Sequence, residues 1–253
     1  MKRGEVRVLV VSGLDPSGRA GLLADASAIR NLGGVPLGVA SALTAQGRRT
    51  FAVEAVPPRI LTRQLEALLE LGPVDAVKLG MIPSRASLRA IRDALSAHDL
   101  PWVVDPVVRT SRGELLSHLS ARDYRSLADL KVVLTPNASE AGWLLGEPRG
   151  PRRVAEALSA AEKLWAVGFG AVVLKGGHLR GSAADVVVAE GSVRIFEGLR
   201  VRRREDRRGT GCRFASSLAV FLARGESLEV AARAAKREVE KYLRRDGGGR
   251  QAK

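Results

Sequence analysis

Short β-branched runs alternate along the chain with longer segments in which apolar residues recur every three to four positions. That alternation predicts repeated strand–helix units and a three-layer α/β fold with a mostly parallel central sheet, because parallel strands buried on both faces read as continuous apolar runs. The predicted strands are 6–11, 35–43, 74–79, 102–105, 131–134 and 171–174. Helical periodicity marks 21–32, 58–71, 84–97, 123–130, 137–145 and 152–167, the second opening on proline, whose fixed φ suits a first turn. Residues 185–188 and 192–196 predict a hairpin around Glu190-Gly191, and two helices follow at 211–223 and 228–243. No linker or long repeat interrupts the series. One domain over 1–246 is expected, with 247–253 as a disordered basic tail.

Composition narrows the class. The 253 residues are 45% hydrophobic, enough for a folded chain that buries roughly 70–75% of its unfolded surface. With 41 Lys plus Arg against 27 Asp plus Glu the net charge is +14, which raises nucleic-acid binding as a hypothesis. Against it, 33 of those bases are arginines spread along the chain, and 4% aromatic residues leave few platforms for base stacking, so no nucleic-acid partner is expected. A single cysteine, Cys212, cannot form an internal disulfide, and no apolar run approaches the roughly 18 residues of a membrane span. A reducing cytoplasm is the expected compartment.

In an open parallel sheet, ligands bind beyond the carboxyl ends of the strands. Several segments there are polar and rich in glycine. The first is Ser12-Gly13-Leu14-Asp15-Pro16-Ser17-Gly18-Arg19-Ala20-Gly21, with Asp25 one turn into the next helix. Its glycines permit close backbone approach and Asp25 is able to accept from an amino group, yet an ordinary glycine-rich turn reads the same way. The second is Arg207-Arg208-Gly209-Thr210-Gly211-Cys212-Arg213, where successive amides entering a helix form an anion site. That position lowers a thiol's pKa and makes Cys212 a candidate base or nucleophile; the competing reading is a buried structural cysteine. The third group is Asp105, Asn137 with Glu140, and Lys175, each at the end of a predicted strand. A carboxylate, an Asn/Glu pair and a lysine around one crevice suit phosphates with Mg²⁺, while Asn137 and Glu140 also read as a capping box.

Together these segments resemble the hydroxymethylpyrimidine and phosphomethylpyrimidine kinase family, within the ribokinase-like superfamily, from about Val6 to Ala223. The carriers are Ser12-Gly13 to Gly21 with Asp25, Thr44-Ala45-Gln46, Lys78-Leu79-Gly80-Met81, Asp105-Pro106-Val107, Thr135-Pro136-Asn137 with Glu140, Lys175-Gly176-Gly177-His178 and Gly209-Thr210-Gly211-Cys212. The resemblance implies ATP- and Mg²⁺-dependent phosphorylation of 4-amino-5-hydroxymethyl-2-methylpyrimidine and then of its monophosphate, in thiamine biosynthesis, by a homodimer. It implies that Gly13, Asp25, Gln46 and Met81 hold the pyrimidine, and that Gly209, Thr210 and Gly211 form the anion hole. Cys212 would be the catalytic base, Asp105, Lys175 and Arg208 would meet ATP or its phosphates, and Asn137 and Glu140 would act on the metal.

Departures from the family pattern cluster in the same segments. Arg19 stands where a glycine is usual, Arg207-Arg208 where Thr-His is usual, and Arg213 where a small hydroxyl residue is usual. With Arg48, Arg49, Arg109 and Arg112 they predict a cationic mouth for small phosphorylated ligands. A kinase of another vitamin alcohol, of the pyridoxal type, and a non-catalytic pyrimidine sensor are the competing functions.

Overall fold

In the computed structural model, which describes residues 5–198 and 208–244, the apolar runs become strands of one sheet and the periodic segments become its covering helices. In chain order these are β1 (Arg7–Leu14), α1 (Gly21–Asn31), β2 (Val35–Gln46), β3 (Phe51–Ala55), α2 (Pro58–Glu70), β4 (Ala76–Leu79), α3 (Arg85–Leu95), β5 (Trp102–Val104), α4 (Ala121–Arg125), β6 (Val133–Leu134), α5 (Ala138–Leu145), α6 (Val154–Ala166), β7 (Ala171–Leu174), β8 (Asp185–Ala189), β9 (Ser192–Phe196), α7 (Thr210–Ala223) and α8 (Leu228–Arg244). The boundary expected at residue 246 and the tail beyond it lie outside the described residues, as does Arg207. No helix among the described residues is long and apolar enough to cross a membrane.

The sheet runs β3-β2-β1-β4-β5-β6-β7-β8-β9, parallel from β2 to β7 and antiparallel at β3, β8 and β9. Successive side chains on a strand point to opposite faces, and the core divides accordingly. Leu9, Val11, Val77, Leu79 and Val104 meet Leu61 and Leu65 of α2, Leu88 and Ile91 of α3 and the apolar faces of α5 and α6. Val8, Val10, Ala76 and Val103 meet Ile29 of α1, Phe214 and Leu218 of α7 and Ala231 of α8. This is the expected three-layer arrangement.

Two local expectations change. The strand read as 35–43 continues to Gln46 and folds back as β3, which pairs with it antiparallel. Every β3 residue but Val53 is exposed, and the short segment Phe51-Ala52-Val53-Glu54-Ala55 has neither the β-branched run of the central strands nor a polar–apolar alternation. The helix read as 123–130 splits into α4 and a short 3-10 turn, Ala128–Leu130, which ends on left-handed Lys131 at φ 49°. Ser120 and Asp123 form a capping box, so α4 begins two residues earlier than read.

Chain order places the site. From β1 the chain goes to β2 on one side and later returns to β4 on the other, which makes the carboxyl ends of β1 and β4 the topological switch point. The β1–β2 register shifts at Ser12/Gly13, re-aiming the chain there, and α7 packs across β1, β4 and β5 with its N-terminus at that end of the sheet.

Candidate active site

The turn into α7 is held open by backbone geometry. Gly209 has φ 78°, a left-handed conformation, and a β-carbon there would overlap the Arg19 carbonyl oxygen, so the β1–α1 loop and the α7 turn abut. Gly209 is the N-cap residue and makes no side-chain cap hydrogen bond, so the positive end of the α7 dipole faces the crevice without a capping side chain. Gly211 shows where an anion would lie. A β-carbon on it would stand 3.2 Å from Lys175 Nζ and 3.6 Å from Asp105 Oδ2, so the turn faces this pair with space for a ligand atom only because residue 211 is glycine.

Lys175 is positioned from three sides. Its ammonium donates to Asp105 Oδ1 at 2.6 Å and lies 3.8 Å from Glu140 Oε2. Its amide donates to the Pro136 carbonyl at 2.8 Å, and the next amide, Gly176, donates to Asp185 Oδ1 at 2.7 Å. Asp185 is paired in turn with Lys236 of α8 at 3.0 Å. Burial alone would discharge Lys175, but the carboxylates of Asp105 and Glu140 outweigh it and hold the ammonium protonated. Burial pushes the Glu140 carboxyl up to about 7, with Lys175 opposing and Asp105 reinforcing the rise.

Asn137 and Glu140 realise the capping box: Asn137 Oδ1 accepts from the Glu140 amide at 3.0 Å, and Glu140 Oε2 accepts from the Asn137 amide at 2.7 Å. Among the described residues no cluster of three or more His, Cys, Asp or Glu side chains is placed to hold a metal. Two carboxylates, Asp105 and Glu140, sharing one lysine with a carboxyl pushed up to about 7 nevertheless form a crowded negative locus that a cation would relieve. The donor set fits Mg²⁺ that keeps most of its waters and arrives with nucleotide phosphates, and does not fit an all-protein cage.

On the other side of the turn, Gly13, Thr44, Gln46 and Met81 come together. A β-carbon on Gly13 would lie 3.1 Å from Met81 Sδ and 3.6 Å from Thr44 Cγ2. Ser41 donates to the Met81 carbonyl at 2.6 Å, and Gln46 Nε2 donates to Thr44 Oγ1 at 3.1 Å.

Three expectations are corrected. Asp25 does not present a free carboxylate to a ligand: its side chain is 0% exposed, one oxygen accepts from Lys78 Nζ at 2.8 Å and the other from Ser216 Oγ at 2.8 Å. Cys212 does not have a lowered pKa. Burial pushes its thiol up to about 11, Asp25 and Asp105 add to the rise, and the opposing effects of Lys78 and the Gly21 amide are smaller. The cationic mouth also contracts, because Arg213 turns away to lie 4.1 Å over the Tyr242 ring of α8, and Arg112 pairs with Glu114 at 2.9 Å within its own loop. Arg208, for its part, lies against Gln46: its guanidinium donates to Gln46 O at 3.3 Å and to Gln46 Oε1.

Sequence reasoning assigned no role to Lys78, Asp185, Ser216 or Lys236. Lys78 carried a readable signal, a charged residue inside the apolar strand Ala76–Leu79, since a lysine there stays charged only with a buried partner. Burial works against its ammonium, but the carboxylates of Asp25 and Asp105 hold the proton on.

The phosphomethylpyrimidine kinase family model matches residues 15–250. The chain is 36% identical over 233 residues to the hydroxymethylpyrimidine/phosphomethylpyrimidine kinase of Rhizobium meliloti, covering 90% of this chain and 86% of that one. It is 37% identical over 243 residues to the thiamine biosynthesis multifunctional protein ThiED of Corynebacterium glutamicum, covering 94% of this chain but only 32% of that protein's length. An ADP complex of Bacillus subtilis pyridoxal kinase matches with a TM-score of 0.82 at 26% identity, over 92% of this chain and 90% of that one, which bears out the ribokinase-like architecture.

Proposed function

Because the chain belongs to the phosphomethylpyrimidine kinase family, we propose that it transfers the γ-phosphoryl group of ATP to the hydroxymethyl oxygen of 4-amino-5-hydroxymethyl-2-methylpyrimidine, and then to the phosphate of the monophosphate formed. The observation that carries this reading is the approach of the Gly209-Thr210-Gly211 turn to Lys175 and Asp105. First-turn amides and an ammonium on opposite sides of one small space suit a phosphoryl group in transit.

In the reaction, a substrate oxygen bonds to the γ-phosphorus as the bond from that phosphorus to the β,γ-bridging oxygen breaks and ADP leaves with the electron pair; the hydroxyl proton is lost in the first transfer, whereas the acceptor in the second is an ionised phosphate oxygen. Such transition states are loose, so positioning and charge stabilisation contribute more than proton removal. Cys212 would take that proton only through its minor thiolate form, about one part in 10⁴ at pH 7 for a pKa near 11, so its share is the smaller. Lys175 would neutralise the γ-phosphate, with Asp105 fixing its ammonium. Mg²⁺, held through water by Asp105, Asn137 and Glu140, would offset phosphate charge. Gly13, Gln46 and Met81 would line the pyrimidine pocket, with the Asp25 carboxylate taken up by Lys78 and Ser216. The exposed Leu43 and Phe51 on the β2–β3 edge support association as a homodimer.

The test is an ADP-release assay with the pyrimidine alcohol, its monophosphate, pyridoxal, pyridoxine and pyridoxamine. Turnover with the first two is expected, with a loss of about 10²-fold or more in Gly211→Asp, which fills the anion space with a carboxylate. The pyridoxal kinase likeness supports a second reading, which preferential turnover of pyridoxal would establish in place of the first. Tight pyrimidine binding without transfer at any Mg²⁺ concentration would replace both with a sensor.

A further inference from the structure

Arg208 precedes the left-handed Gly209, so it lies outside α7 and its side chain reaches across to the end of β2. There its guanidinium bonds to both the backbone and the side-chain oxygen of Gln46. The Gln46 amide is thereby used at both ends, because its nitrogen donates to Thr44 Oγ1, which itself donates to the Leu14 carbonyl at 3.1 Å. This chain of contacts joins the α7 turn to β2 and to the end of β1, across the pyrimidine side of the crevice.

The acceptors that hold the guanidinium are neutral, and among the described residues no carboxylate pairs with it. A guanidinium bonds about twice as strongly to an ionised acceptor as to a neutral one, and its planar fork matches phosphate oxygens in pairs. Its present contacts are therefore ones that a phosphate arriving beside Gly209 would outcompete.

We propose that Arg208 determines specificity by recognising the phosphate of the monophosphate substrate, and that it controls Gln46 as it does so. The proposal rests on the reading that this site phosphorylates the pyrimidine alcohol and its monophosphate. With the monophosphate, the guanidinium exchanges Gln46 for the phosphate and frees Gln46 Oε1 to accept from the pyrimidine amino group. With the alcohol, Arg208 must leave Gln46 without an anion to receive it, or Gln46 stays occupied. One residue thus couples the charge on the substrate's arm to recognition of its ring, and favours the second phosphorylation over the first.

The experiment compares wild type, Arg208→Gln and Arg208→Lys. It measures kcat and KM for both substrates at 50 and 300 mM salt, where the Debye length is about 14 Å and about 6 Å, and calorimetric binding of each substrate without ATP. In Arg208→Gln the ratio of kcat/KM for monophosphate over alcohol is expected to fall at least about tenfold, mainly through KM, and the salt dependence of monophosphate binding is expected to flatten. Arg208→Lys, which keeps the charge without the fork, is expected to fall between and keeps the test decisive if the glutamine variant does not fold. A ratio within about twofold of wild type, or equal losses on both substrates, overturns the proposal. If wild type transfers phosphate to neither substrate, the reading of the reaction fails separately. Calorimetry then still decides: undetectable monophosphate binding, or equal affinity in wild type and Arg208→Gln, overturns the role given to Arg208.

Discussion

Replacing Lys78 with methionine removes the cation that Asp25 contacts at 2.8 Å in a space where both side chains are 0% exposed. The carboxylate would keep the Ser216 hydroxyl as a donor but lose its counter-charge. Removing one member of a buried pair costs about 3–5 kcal/mol, because the survivor is left charged and desolvated. For a domain of this size each kcal/mol lowers Tm by about 2–4 °C, so Lys78→Met is expected to melt about 6–20 °C below the parent. Asp25→Asn is expected to cost a comparable amount, since it strands the buried ammonium. The double variant leaves two neutral side chains and is expected to lose less than the sum of the single changes, by a coupling of about 1–3 kcal/mol. Urea unfolding at pH 7 with a shared m-value measures all three terms. Single losses below about 1 kcal/mol, or additivity within about 0.5 kcal/mol, would refute the reasoning that Asp25 and Lys78 act as one buried ionic unit.

The Cys212 thiol, pushed up to about 11, is protonated throughout the neutral range, so its rate of alkylation by iodoacetamide is expected to climb about tenfold per pH unit from pH 7 to pH 10. A plateau below pH 9 would show a lowered pKa instead. Gly209→Ala forces a left-handed alanine against the Arg19 carbonyl and is expected to lower stability by at least about 2 kcal/mol in a urea titration and to impair phosphate transfer. Gly113→Ala is the comparison: φ is 94° but nothing lies within 4 Å of the added carbon, so strain alone, about 1–2 kcal/mol, is expected with transfer retained. Equal losses in the two variants would argue that the abutting loops contribute nothing beyond backbone strain.

The sequence by itself determined the layers and the locations of the site segments. Ala171–Leu174 is a buried central strand and was legible as an unbroken apolar run. The hairpin of β8 and β9 was legible from Glu190-Gly191, and the start of α5 from the spacing of Asn137 and Glu140. Periodicity, turn chemistry and capping act over a few residues, so a linear reading captures them. β3 escaped because it is short and mostly exposed and holds a single β-branched residue in no alternating pattern.

Tertiary structure alone decided the electrostatics. Cys212 stands at a helix N-terminus, which predicts a lowered pKa, but burial, reinforced by Asp25 from α1 and Asp105 from the end of β5, reverses the shift. The structure likewise turned Asp25 inward to Lys78, took Arg213 out of the crevice to Tyr242 and laid Arg208 on Gln46. Charge interactions sum over distance in space and over local burial, neither of which follows from separation along the chain.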